Sequence, residues 1–234
     1  MTFPAAHPAV IGSITTPDGL GLLAEAESAA DAVEVRVDAL LGQGATPDGI
    51  EAALKKRRRP VLLTLRIPEE GGRISWEQSE RRELYRRLLP QVEAIDVELA
   101  TVRDLDPLLN EALAALKTVV LSAHALDRPP PSAQFGRWLR EHDTHDAKTI
   151  LKVAAHIDSW RDLQRLAAML VNNPERQIAV MGLGPHGPQS RSVLAALGSR
   201  LIYGWLDEPA APGQPSAAEA RKIVDDLPPR EPSS

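Results

Sequence analysis

Short apolar runs alternate along this chain with longer stretches whose apolar residues recur at helical spacing. The runs fall at 9–15, 32–38, 60–66, 94–99, 118–123, 149–154, 177–181 and 200–205. Most are continuously apolar rather than alternating with polar residues, the pattern of strands buried on both faces of a parallel sheet. The stretches between them carry helix signals. SWEQ at 75–78 and SAAE at 216–219 fit the capping box, in which a hydroxyl and a later polar side chain satisfy orphan amides. Trp160, Leu163, Leu166, Ala167 and Leu170 make one apolar stripe of a helix facing a sheet. Strict alternation of strand and helix predicts right-handed crossovers and a parallel sheet. An open doubly wound sheet would also alternate, but eight repeats in 234 residues favour a closed (β/α)8 TIM barrel. No linker or composition break divides the chain, so one domain is expected over 1–228, with a disordered, proline-rich tail at 229–234.

Composition narrows the function. Cysteine is absent, which excludes disulfides, thiolate metal sites and cysteine nucleophiles. A net charge of −5 argues against a general nucleic-acid binder, and 3% aromatic content against a base-stacking surface. The opening MTFPAAHPAV lacks a basic segment followed by a long apolar run, so no signal peptide is read. No stretch approaches the roughly 18 apolar residues that span a membrane. A soluble, cytoplasmic protein is expected.

Catalytic groups of a β/α barrel sit where its strands end, and polar residues there stand out. Glu34 and Arg36 are two apart in AVEVRVD and share a face. Arg66 ends the third run, with Glu70 just beyond in RIPEEGG. Asp96 and Glu98 share a face, His124 follows the fifth run, and Lys152 lies inside the sixth. Unpaired burial of such groups is costly; mutual salt bridges within the barrel are the plain explanation. Lys152 suggests more. A lysine in an apolar strand loses the hydration of its ammonium, which favours the free, nucleophilic amine. A histidine one strand away can shuttle protons. Schiff-base chemistry on a ketone or aldehyde follows as a hypothesis.

The runs EVRVD (34–38), TLRIPEEGG (64–72), IDVEL (95–99), SAH (122–124) and LKVA (151–154) resemble successive strand ends of type I 3-dehydroquinate dehydratases. SR (190–191), GS (198–199) and APGQ (211–214) continue the resemblance over almost the whole chain. It implies Lys152 as imine-forming lysine, His124 as proton shuttle and Glu70 as the carboxylate that orients it. It implies that Glu34, Arg36, Arg66, Arg191 and Gln214 hold the hydroxyls and carboxylate of the substrate, 3-dehydroquinate, with Ser13 as a looser match. It further implies syn elimination of water through an iminium on Lys152, a lid formed by the loop with Pro212 and Gly213, no cofactor or metal, and a homodimer.

Three departures accompany the resemblance. The family's SAPGQ is AAPGQ here, so Ala210 stands where a substrate-binding serine is expected. MGLGPHGPQSR is about two residues longer than usual between its Met and SR, and VAAHID replaces a VMP-like continuation after Lys152. Other signals are weaker. GLGPHG lacks the Gly-Lys-Ser/Thr of a phosphate loop. HDTHD at 142–146 reads as a solvated turn before a metal site, and KKRRR at 55–59 as cations ending a helix. Two other functions stay open. A class I aldolase would share the lysine but carry a phosphate site near strands seven and eight; a non-catalytic paralogue fits Ala210 but not the joint presence of Glu70, His124 and Lys152.

Overall fold

The computed structural model describes residues 7–145, 149–211 and 213–228. Eight parallel strands form one sheet: β1 (Ala9–Ile14), β2 (Ala32–Arg36), β3 (Val61–Thr64), β4 (Ala94–Glu98), β5 (Thr118–Ala125), β6 (Ile150–His156), β7 (Ile178–Leu183) and β8 (Leu201–Trp205). Their order is β7-β6-β5-β4-β3-β2-β1-β8, so sequence neighbours pair and β8 returns to β1. The seam between β7 and β8 is bridged through backbone and one hydroxyl. Arg200 N–H donates to Ile178 O at 2.8 Å, and Ser199 Oγ accepts the Val180 N–H at 2.9 Å. The result is a nearly closed β/α barrel.

Helices α1 (Val37–Leu41), α2 (Pro47–Leu54), α3 (Gln78–Leu88), α4 (Asp106–Ala114), α5 (Ser132–His142), α6 (Trp160–Val171), α7 (Gly187–Ala196) and α8 (Ala217–Asp225) surround it. The alternation is not strict. Only 3-10 turns at Asp18–Ala24 join β1 to β2, while both α1 and α2 follow β2. Gly19 and Gly21 disfavour an α-helix in the first connection. A side chain at Gly19 would also meet the Asp207 carboxylate, which accepts the N–H groups of Thr15 and Thr16 at 2.8 and 2.7 Å.

Two layers form the core. Between sheet and helices lie large aliphatics such as Leu63, Leu88, Ile95, Leu121 and Leu166. Inside the barrel the lower layers are Ala9, Ile11, Ala32, Leu62, Ala94, Val120 and Ala179. These apolar residues, alanines interleaved with Ile11, Leu62 and Val120, fill the bottom and leave the upper end to polar side chains.

The helix signals fared unequally. Ser216 caps α8 as expected, its Oγ accepting the Glu219 N–H at 3.2 Å while Glu219 accepts the Ser216 N–H at 2.7 Å. The box at 75–78 does not form, because α3 begins at Gln78 with Glu77 as an uncapped N-terminus. There the Trp76 indole donates to Arg66 O at 3.1 Å, tying the segment to the end of β3 instead. In α6, Leu163, Leu166 and Leu170 are buried but Trp160 is 56% exposed, since it opens the helix at the barrel's upper rim. The KKRRR run lies beyond α2, with Arg57 paired to Glu93 at 2.6 Å. In HDTHD, His142 bonds Thr149 and Asp143 pairs with Arg176, while Asp146 lies outside the described residues, as does the tail at 229–234. No group of three metal-binding side chains occurs among the described residues. Among them, too, no helix is long and apolar enough to cross a membrane.

Candidate active site

Where the strands end, period-two geometry turns alternate side chains into the barrel, and those side chains become polar. A cavity of about 470 Å³ opens there, lined by Ser13, Glu34, Arg36, Arg66, Glu70, His124, Lys152, Arg191, Ala210 and Gln214 among others. The nine residues whose roles the resemblance implied, and Ala210, thus face one cavity, while Asp96 and Glu98, noted beside them, are buried and do not line it. Around them runs a network of ion pairs that sets their charge.

Lys152, only 4% exposed, projects from the middle of β6. Its Nζ donates to Asp96 Oδ2 at 2.8 Å and lies 3.8 Å from Glu34 Oε1. The lysine is therefore paired with a carboxylate from β4, as the salt-bridge reading has it, rather than standing apart as a desolvated amine. Burial alone would raise Asp96, but the charges of Arg66 and Lys152 overcome it and hold the carboxyl well below its ordinary range. Glu34 accepts hydrogen bonds from Ser13 Oγ at 2.8 Å and Thr64 Oγ1 at 2.9 Å. Ser13 and Glu34 sit opposite each other in the β1–β2 register, so this contact is built into the strand pairing.

Arg66 is the hub. Its guanidinium bonds Glu98 at 2.8 Å, Ser122 at 2.7 Å and Asp96 at 3.0 Å. Glu98 is also paired with Arg81 of α3, which is fully buried and donates to Leu65 O at 2.8 and 3.0 Å. Arg36 forms a two-pronged pair with Asp38 at 3.0 and 2.9 Å. Asp38 in turn accepts the backbone N–H groups of Arg66 and Arg73. The salt-bridge reading of these strand-end charges thus holds for Lys152 with Asp96 and Glu34, while Glu98 pairs with Arg66 and Arg81, and Arg36 with Asp38. An imidazole and a further guanidinium complete the cavity.

The imidazole is His124 of β5, whose Nδ1 lies 2.6 Å from Glu70 Oε2, leaving Nε2 as the other ring nitrogen. Glu70 reaches it from a single 3-10 turn at Pro68–Glu70. Gly71 follows at φ +88°, and a Cβ on Gly72 would fall 2.1 Å from Arg66 O. The PEEGG motif is therefore a tight turn that only glycines permit. Burial, aided by the nearby Glu98 and Asp96 charges and opposed by Arg66, pushes the Glu70 carboxyl up to about 8. Burial and the positive charges of Arg66 and Lys152 push His124 well below its ordinary value. Both shifts favour the uncharged partners, and the pair titrates as a unit.

The guanidinium is Arg191 of α7. It is 6% exposed, and Nε and Nη1 are buried without a hydrogen-bond partner among the described residues. It forms no ion pair among them either. Burial lowers it to about 10, which still leaves it protonated at neutral pH. An unpaired buried cation is costly, and the cavity beside it is a place for an anion. Ser190 of the SR motif faces the backbone instead, accepting the Gly182 N–H at 3.1 Å. At the mouth, Gln214 Oε1 accepts the Ala210 N–H at 2.7 Å, and both residues line the cavity. Gly213 takes φ +74°; Pro212 lies outside the described residues.

The same cavity includes residues that sequence reasoning did not single out. Tyr203 of β8 faces inward, with Lys152 Nζ 4.4 Å from its ring centroid. His156 of β6 bonds Asp158 at 2.8 Å at the rim, and Met181 supplies an apolar wall. The longer segment after β7 packs here: Gly184, at φ +79°, lies against the His156 ring, and the His186 ring meets that of Trp160 at a tilt of 43°, centroids 4.8 Å apart. An inward aromatic on a strand of so aromatic-poor a chain was the available signal for Tyr203.

Fold and site together define a barrel enzyme with a buried lysine. A family model for type I 3-dehydroquinase matches residues 11–227. A 3-dehydroquinate dehydratase of Methanocella arvoryzae is 31% identical over 92% of this chain and 93% of its own length. That of Thermodesulfovibrio yellowstonii is 29% identical over 88% and 90%. Among solved structures, the 3-dehydroquinate dehydratase of Aquifex aeolicus superposes with a TM-score of 0.77 at 27% identity, covering 92% of this chain and 96% of that one. The type I enzyme of Clostridium difficile gives 0.83 at 21% identity, covering 96% and 94%, a likeness of fold. The chain belongs to the type I 3-dehydroquinase family.

Proposed function

We propose that this protein dehydrates 3-dehydroquinate to 3-dehydroshikimate, in the shikimate pathway, by syn elimination through a Schiff base on Lys152. One observation carries the reading: a single cavity joins the Lys152 amine, the Glu70–His124 pair and an unpaired Arg191. Each matches a demand of the chemistry.

The Lys152 amine adds to the ring ketone, and loss of water with uptake of one proton gives a cationic iminium. The iminium draws electrons from the adjacent carbon, so a modest base can remove its proton. His124 Nε2 is that base when Nδ1–H is donated to the Glu70 carboxylate. The proton it gains is then delivered to the leaving hydroxyl, which departs as water, and hydrolysis of the iminium frees the product and the lysine. Asp96 accepts a hydrogen bond from Nζ and balances charge while the iminium stands. Arg191 takes the substrate carboxylate, to which a guanidinium can donate two parallel hydrogen bonds. Arg36, Glu34, Ser13 and Gln214 are placed to hold hydroxyls, and the turn carrying Gln214 closes the mouth. Arg66 keeps the carboxylates in place. A homodimer working in the cytoplasm fits the family.

The test is direct. Purified protein given 3-dehydroquinate is expected to generate the ultraviolet absorbance of a conjugated enone acid. No absorbance change at any substrate concentration would refute the assignment, and an Ala210→Ser variant equally inactive would favour a binding role.

A further inference from the structure

Lys152 Nζ, the atom on which the proposed reaction centres, meets carboxylates on one side and an aromatic face on the other. The centroid of the Tyr203 ring is 4.4 Å away, within the range at which a cation is drawn to a ring's electron-rich face. The ring is held there on all sides. Tyr203 is 4% exposed, lies in β8 opposite Ile11, and packs with Met181 and Ala154. Its hydroxyl is buried with no hydrogen-bond partner among the described residues. An unpaired buried hydroxyl is destabilising, so the hydroxyl does not explain the placement of this side chain. The ring does.

We propose that the face of Tyr203 is a catalytic element of the Schiff-base reaction, stabilising positive charge on Lys152 Nζ as ammonium and, more consequentially, as iminium. The inference rests on the imine reading above. When the amine condenses with the ketone, one water is lost, one proton is gained, and the charge stays at nitrogen. Nitrogen then has a single hydrogen left to donate, where the ammonium had three. Asp96 can keep that hydrogen bond; the contact with Glu34 cannot be kept with it. The aromatic face needs no hydrogen and serves both cations. Attraction to a ring that is not in water also adds no fixed charge that would hold the proton too tightly. The titratable and charged groups around Nζ are Glu34 from β2, Arg66 beyond β3, Asp96 from β4 and His124 from β5.

The test keeps shape and changes the ring's electronics. Wild type, Tyr203→Leu and a form with pentafluorophenylalanine at position 203 are incubated with 3-dehydroquinate and borohydride across pH. Adduct yield and kcat are measured for each. Cation–aromatic attraction predicts a loss of about 2- to 30-fold in iminium yield and kcat for both altered forms. It also predicts a pH midpoint for trapping displaced downward, because the ammonium is destabilised as well. Tyr203→Phe, which restores the ring, is expected to rescue the leucine variant's defect. If leucine does not fold, the fluorinated ring alone decides. Equal yields and midpoints in the fluorinated and natural forms would overturn this inference while leaving the imine intact. Wild type that turns over substrate with no adduct would overturn both.

Discussion

His124 shows how a residue's role depends on what lies behind it. Its ring is poised by Glu70, and the two share protons in a buried site, so the base-competent form has Glu70 ionised and Nε2 free. A carboxyl raised to about 8 is ionised only as pH climbs through that value. The sign is therefore fixed: kcat/KM, which reports on the free enzyme, is expected to rise between about pH 7 and 9. In Glu70→Gln that rise should vanish, because the amide does not titrate yet can still accept the Nδ1–H; an unchanged alkaline limb would assign it elsewhere. His124→Ala should form the imine but turn it over roughly 10²–10⁴-fold more slowly, seen as a trappable adduct without product. At Ala210 the backbone N–H is already bound by Gln214. A serine there would add one hydroxyl to the cavity, and a hydrogen bond to a charged group contributes about 1.5–3 kcal/mol. Ala210→Ser is expected to lower KM with little change in kcat, as measured by steady-state kinetics.

Among the elements, the β7–β8 seam is a place where a side chain helps to close the barrel. Ser199 Oγ accepts the buried Val180 N–H and lies 3.0 Å from Leu201 O, joining the last strands where no ladder does. Ser199→Ala orphans that amide, and leaving a buried donor unpaired costs about 1–3 kcal/mol. The midpoint of urea unfolding is expected to fall accordingly; an unmoved midpoint would mean that the seam is held by backbone alone. Legibility from sequence follows the same division. Strands of continuous aliphatics were plain, and each begins and ends within three residues of the expected span. The strict alternation of strand and helix put a helix in the first connection, yet Gly19, Gly21 and the Asp207 contact turn it into 3-10 structure. Helix starts that depend on a distant carbonyl, such as Arg66 O capturing Trp76, carry no local mark at all.

At the scale of the whole molecule, the chain places apolar side chains at the barrel's base and a charge network at its top. The network is legible as residue types, but its pairing is not: nothing in VELATVRDL announces that Glu98 meets Arg81 from a helix seventeen positions earlier. Arg81→Met should test its structural share. Removing one partner of a buried pair costs about 3–5 kcal/mol, so thermal unfolding is expected to shift well below wild type. The active site depends on the same network, since Arg66 bridges it to Asp96 and Asp96 bonds Lys152. All of this converges on one nitrogen. The most direct measurement is peptide mass spectrometry after borohydride reduction with 3-dehydroquinate, run beside Lys152→Ala. The account expects a stable adduct on the peptide containing Lys152, absent from the variant together with nearly all turnover. An adduct on another lysine, or an active Lys152→Ala protein, would contradict it.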